Sequence, residues 1–165
     1  MRDEIRDELC AREEGERVFN AVQQLLDRDG FLLARDVNER SITHRLAMYL
    51  AEEFPAWDVD CEYNRDGHDP KELNLGGPDP NRRDTEAKTV YPDIIVHTRG
   101  EQDNLLVIEV KKSSSRIGRG NDFEKLRAYR HELQYRHALY IEFLVGNGQA
   151  DVAQVQWFDD AAGPV

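Results

Sequence analysis

Apolar side chains recur along this chain in two periods, and the switch between them divides it into helical and extended stretches. Over residues 2–28, Ile5, Leu9, Val18, Val22, Leu25 and Leu26 fall near helical spacing, and Asp29-Gly30 supplies a stop. That pattern predicts one amphipathic N-terminal helix. A second helix should begin near Asn38, with Ile42, Leu46, Tyr49 and Leu50 on its apolar face and Phe54-Pro55 at its end. Alternation takes over at WDVDCEYNR, 57–65. Trp57, Val59, Cys61 and Tyr63 lie on one side and Asp58, Asp60, Glu62 and Asn64 on the other, as in a half-buried strand.

Residues 66–89 are rich in Pro, Gly and Asp and poor in apolar side chains, so they read as a long polar loop. Two apolar runs near 90–99 and 104–112 follow and predict a hairpin. SSSRIGRG breaks the chain, Asn121 or Asp122 offers a cap, and a helix should run to about Arg136. HALYIEFLV, 137–145, is a strong buried strand and VAQVQWF, 152–158, a weaker last one. The order is helix, three strands, helix, then one or two strands. This predicts an α/β fold with a mixed central sheet flanked by helices, in one domain over 1–165, with 1–30 as an N-terminal helical extension.

Composition narrows the function classes. The chain has 165 residues, 39% of them apolar and 33% charged, and a net charge of −11 that argues against indiscriminate binding to a phosphate backbone. The charge is uneven: residues 111–136 carry eight basic and three acidic side chains, against an acidic balance elsewhere. No apolar run is long enough to span a bilayer, and the start, MRDEIRDELC, is charged rather than signal-like, so a cytoplasmic protein without membrane contact is expected. Cys10 and Cys61 show no metal-ligand spacing and read as reduced thiols. Nothing in the chain matches a phosphate-binding glycine loop, a zinc cluster or a nucleophile elbow.

The hairpin YPDIIVHTRGEQDNLLVIEVKK, 91–112, holds Asp93, Glu109 and Lys111 among its most apolar residues. Glu109 and Lys111 share a strand face, about 7 Å apart, together with Leu105 and Val107; Asp93, Ile95 and His97 share a face of the partner strand. Whether the two acids meet depends on the turn. A four-residue loop at Gly100–Asp103 pairs Asp93 with Val110, whereas an odd loop, or a bulge, pairs it with Glu109. Two carboxylates brought together in a dry place repel, which a divalent cation relieves. Two carboxylate oxygens, a backbone carbonyl and waters suit Mg²⁺, with Mn²⁺ as a substitute. A lysine two residues on would stabilise an attacking hydroxide.

Tyr91-Pro92-Asp93 followed by Glu109-Val110-Lys111 resembles the PD-(D/E)xK nuclease superfamily, and the order of elements over roughly 38–146 resembles its restriction-endonuclease-like αβββαβ core. The resemblance implies a metal-dependent nuclease acting on DNA, with RNA open as a substrate of the same chemistry. It implies Asp93 and Glu109 as metal ligands, the Val110 carbonyl as a third, Lys111 as the catalytic lysine and Glu39, at the start of the second helix, as the assisting helical acid. Glu62 is a further candidate ligand. Lys112, Ser113, Arg116, Arg119 and Lys125 would grip the phosphate backbone beside the site. The acidic total and small size suggest a dimer, or a partner protein that supplies target recognition. The rival reading is a catalytically silent nuclease-fold scaffold or binding subunit.

Overall fold

The computed structural model describes residues 1–63, 65–66, 69–70, 72–73, 88–89 and 91–158. Helices α1 (Asp3–Leu9), α2 (Gly15–Ala34) and α3 (Glu39–Glu53) precede strand β1 (Asp58–Cys61). Four two-residue strands follow: β2 (Arg65–Asp66) pairs with β3 (Asp69–Pro70), and β4 (Glu72–Leu73) with β5 (Lys88–Thr89). Most of the long polar loop expected over 66–89 lies outside the described residues. Strands β6 (Ile94–Thr98) and β7 (Asp103–Lys112), helix α4 (Gly120–Glu132), and strands β8 (His137–Gly146) and β9 (Gln149–Trp157) complete the order.

Five strands form one mixed sheet in the order β1-β6-β7-β8-β9. Only β7 and β8 run parallel, and α4 is the crossover that parallel neighbours require. Helices α1 to α3 cover one face, over Ile94, Val96, Leu106, Ile108, Val110, Leu139, Ile141 and Phe143. Helix α4 covers part of the other, where Leu126 and Tyr129 pack on Ile95, Val107, Ala138 and Tyr140. Strand β7 is thus buried on both sides, which is why its sequence reads as a continuous apolar run. The molecule is α/β, with the helices segregated by face.

The N-terminal pattern resolves differently from the single helix expected over 2–28. The helix breaks after Leu9 and restarts at Gly15, where a Cβ would stand 1.9 Å from the Leu9 carbonyl oxygen, so only glycine permits this approach. Asp29-Gly30 does not stop α2. Asp29 is kinked (φ −122°, ψ 15°), and its carboxylate accepts from the Arg45 Nε at 2.7 Å and the Tyr49 hydroxyl at 2.5 Å. A local breaker has become a tertiary anchor between α2 and α3. At α4 neither expected cap operates: Arg119 stands at the cap position without a side-chain bond, and Asp122 is turned inward. On β1 the expected alternation ends at Glu62, whose φ of +49° turns Tyr63 onto the His97 ring, 4.8 Å away.

Candidate active site

The hairpin register decides whether the acids meet. Thr98 pairs with Asp103, leaving a four-residue loop, Arg99–Gln102, and His97 pairs with Asn104. A register shift then intervenes between Val96 and His97, with Leu105 as the extra residue on β7. Beyond it Val96 pairs with Leu106, Ile95 with Val107 and Ile94 with Ile108. Carried one residue past the paired strand, this register sets Asp93 opposite Glu109, and the charge of Asp93 acts on the Glu109 carboxylate. The expected alternatives were an odd loop or a bulge, and the bulge performs the correction. It also reassigns Leu105, which packs in the α1–α3 core instead of sharing the face of Val107.

Asp93 sits at the entrance of β6 and is fixed from both ends. Its carbonyl accepts from the Glu62 amide at 3.3 Å, and its carboxylate accepts from the Val110 amide at 2.8 Å. Burial pushes its pKa up to about 6; the Val110 bond and Lys125 pull it down, while Glu39 and Asp122 push it up. Glu109 is 2% exposed. Burial, then the charge of Asp93, push it up to about 8 against the attraction of Lys125. One of its oxygens, Oε1, is buried and makes no well-formed hydrogen bond among the described residues, with the buried Tyr129 hydroxyl of α4 as its polar neighbour. Burial makes both acids harder to ionise, and the charge of Asp93 does so further for Glu109.

Helix α4 answers β7 charge for charge. Glu109 and Lys111 lie two residues apart on one strand face, and Asp122 and Lys125 lie about one turn apart on the helix above. Lys125 Nζ donates to Glu109 Oε2 at 2.7 Å, and Lys111 Nζ to Asp122 Oδ2 at 2.6 Å. Burial opposes the charge on Lys125, but attraction to Glu109, Asp93 and Asp122 holds its pKa above the usual lysine value. Asp122 and the Glu109 contact of Lys125 are the site features that sequence reasoning missed. Their one signal was an acid and a lysine three positions apart in the helix that follows the motif, with Lys111 eleven residues before Asp122.

The remaining candidates separate. Glu39 lies at the start of α3 and accepts from the Lys112 amide at 3.1 Å, which ties it to the end of β7. A cleft of about 290 Å³ is lined by Glu39, Thr43, His44, Cys61, Glu62 and Asp93, so one acid of the pair opens onto the α3 side. Glu62 pairs with Arg40 at 2.9 Å. Cys61 is exposed rather than packed on the apolar side of its strand; desolvation of its sulfur at the cleft wall, then the neighbouring Asp60, Asp93 and Glu62, push the thiol up to about 11, which leaves it protonated at neutral pH. His97 is buried with its Nε2 2.9 Å from Asp60, a strand histidine held in place.

The basic residues assigned to phosphate contact are mostly committed elsewhere. Lys112 Nζ donates to Asp36 and to the Val37 carbonyl, both at 2.8 Å. Arg119 pairs with Glu142 at 2.7 Å, and Lys125 with Glu109. Ser113 accepts from the Val145 amide at 3.1 Å. Arg116 is exposed and has no partner among the described residues.

Among the described residues, no group of three or more His, Cys, Asp or Glu side chains is gathered tightly enough to hold a metal unaided. The acid pair nonetheless suits a hard divalent cation. It offers carboxylate oxygen donors, one of them buried and without a well-formed hydrogen bond among the described residues, where burial and the charge of Asp93 on Glu109 favour a countercharge. No protein-family model, curated protein or solved structure matches this chain. Among the described residues no helix is long and apolar enough to cross a membrane.

Proposed function

We propose that this chain is a metal-dependent nuclease that hydrolyses DNA phosphodiester bonds on a restriction-endonuclease-like core. The observation that carries the reading is the bulged register that brings Asp93 toward Glu109, one of whose buried oxygens makes no well-formed hydrogen bond among the described residues. Asp93 and Glu109 are the anionic donors for Mg²⁺ or Mn²⁺, the Val110 carbonyl is a third donor, and Glu39 assists from α3. The chemistry such a cation supplies is activation of water and neutralisation of charge building on a phosphate. Strand β7 keeps Glu109 and Lys111 on one face, and Asp122 holds the Lys111 ammonium that would stabilise the attacking hydroxide. With Arg116 as the uncommitted cation of its set, target recognition falls to a second copy or a partner protein.

The test is incubation with supercoiled, linear and single-stranded DNA and with RNA, with Mg²⁺ or Mn²⁺, beside Asp93→Ala and Lys111→Ala. Cleavage by the wild type and a loss of at least about 100-fold in each variant are expected. Activity surviving both substitutions overturns the mechanism. A second reading, the silent scaffold, is favoured by one observation: Lys111 and Lys125 are both spent in ion pairs with α4 and β7 partners. Cation binding without cleavage of any of these substrates would select it.

A further inference from the structure

Among the described residues, Lys125 is the one cation bonded to either acid of the pair. It comes from α4, across the sheet–helix interface, and places Nζ 2.7 Å from Glu109 Oε2. Its side chain is 18% exposed whereas that of Glu109 is 3% exposed, so the lysine approaches a buried carboxylate from the solvent side. The other oxygen of Glu109 makes no well-formed hydrogen bond among the described residues, with the neutral Tyr129 hydroxyl nearby, and the charge of Asp93 acts on the same carboxylate. In the absence of a metal, a buried acid pair needs a proton or a countercharge, and Lys125 is the countercharge that the chain supplies.

A divalent cation seated on Glu109 would meet this ammonium within a few ångströms, in a poorly hydrated place where like charges repel strongly. The lysine stem is flexible and leads toward solvent, so withdrawal of the ammonium costs little once the cation takes over its role. Lys111 need not move, because its own partner is Asp122. We infer that Lys125 is a latch: it holds Glu109 in the metal-free protein, competes with the divalent cation for that carboxylate, and is released when the cation binds. This inference rests on the acid pair being a cation site, and it goes beyond that reading by assigning the site a built-in competitor.

Calorimetric titration with Mn²⁺ tests it on the wild type, on Lys125→Met and on Arg116→Gln, which removes an equal charge that touches neither acid. Loss of one charged hydrogen bond from the metal-free state predicts affinity about ten- to a hundredfold tighter in Lys125→Met. Arg116→Gln should stay within about twofold of the wild type, the change of a peripheral exposed charge. An amine-reactive label followed by peptide mapping reads the latch in the wild type itself, so a misfolded variant does not block the test. Mn²⁺ should raise the labelling of Lys125 and leave Lys111 protected.

Equal or weaker Mn²⁺ affinity in folded Lys125→Met, or labelling of Lys125 that ignores Mn²⁺, overturns the latch and leaves the cation site standing. No Mn²⁺ binding by either protein overturns both. Tighter binding in Lys125→Met with no cleavage of any nucleic acid supports the latch and overturns the nuclease reading.

Discussion

Glu109 is the residue whose behaviour follows most directly from its surroundings. Its folded pKa, pushed up from 4.5 to about 8, means that the folded chain holds a proton which the unfolded chain releases as pH rises. The stabilisation is complete below about pH 4.5 and is lost as pH climbs through about 8. Asp93, raised from 3.8 to about 6, acts in the same direction over a lower window. The metal-free protein should therefore be less stable at pH 8.5 than at pH 5, by on the order of a few kcal/mol, in urea titrations at each pH. Glu109→Gln should flatten the slope above pH 6; an unchanged slope would mean that Lys125 keeps Glu109 ionised throughout. Asp93→Asn should leave the metal-free melting temperature at pH 8 unchanged or raise it, because a repelled charge goes and an acceptor for the Val110 amide remains. Asp122→Asn works the other way. It strands the Lys111 ammonium, 9% exposed, without its counter-ion, and should cost about 3 kcal/mol or more.

Elements take their boundaries from contacts that the local pattern does not contain. Gly15 reads in sequence as one more residue of a long helix, yet it begins α2 because the Leu9 carbonyl lies against it. Gly15→Ala, which helix propensity alone would favour, should destabilise the fold by about 1–3 kcal/mol in equilibrium unfolding. A neutral or stabilising result would show that α1 shifts freely. The same reasoning explains how much of the site was legible. Period-2 alternation places Glu109 and Lys111 on one face from sequence alone, and the parity condition on the turn is equally readable. Which residue satisfies that condition is not, since Leu105 differs from its apolar neighbours only in where the backbone bulges. Asp122 was misread for a related reason: an Asp near a helix start suits a cap, and only the packing of α4 on β7 turns it toward Lys111. The order of elements along the chain and the mixed sheet were visible because β7 and β8 are apolar runs with a helix between them; the strand order and the face each helix covers were not. Nor were the ion pairs that cross from α4.

At the scale of the whole molecule, net charge and its distribution give opposite hints about nucleic acid, and the ion pairs decide between them. The chain carries −11, yet residues 111–136 are basic. Of the cations there, Lys111, Lys112, Arg119, Lys125 and Arg136 each neutralise an acid of the fold. Arg130 donates to the Tyr135 and Arg136 carbonyls, and Arg127 lies over the Phe158 ring. The local excess is thus mostly paired within the fold, which predicts a weak phosphate grip by the isolated chain. Because each phosphate neutralised contributes about −0.9 to the slope of log affinity against log salt, the isolated chain should bind a short duplex in EDTA with a slope no steeper than about −2. Fluorescence anisotropy from low to physiological salt measures it. A slope of about −6 or steeper would mean that the pairs open on contact and that the segment grips DNA by itself. A shallow slope that steepens when a second protein is added would assign the missing phosphate contacts to that partner.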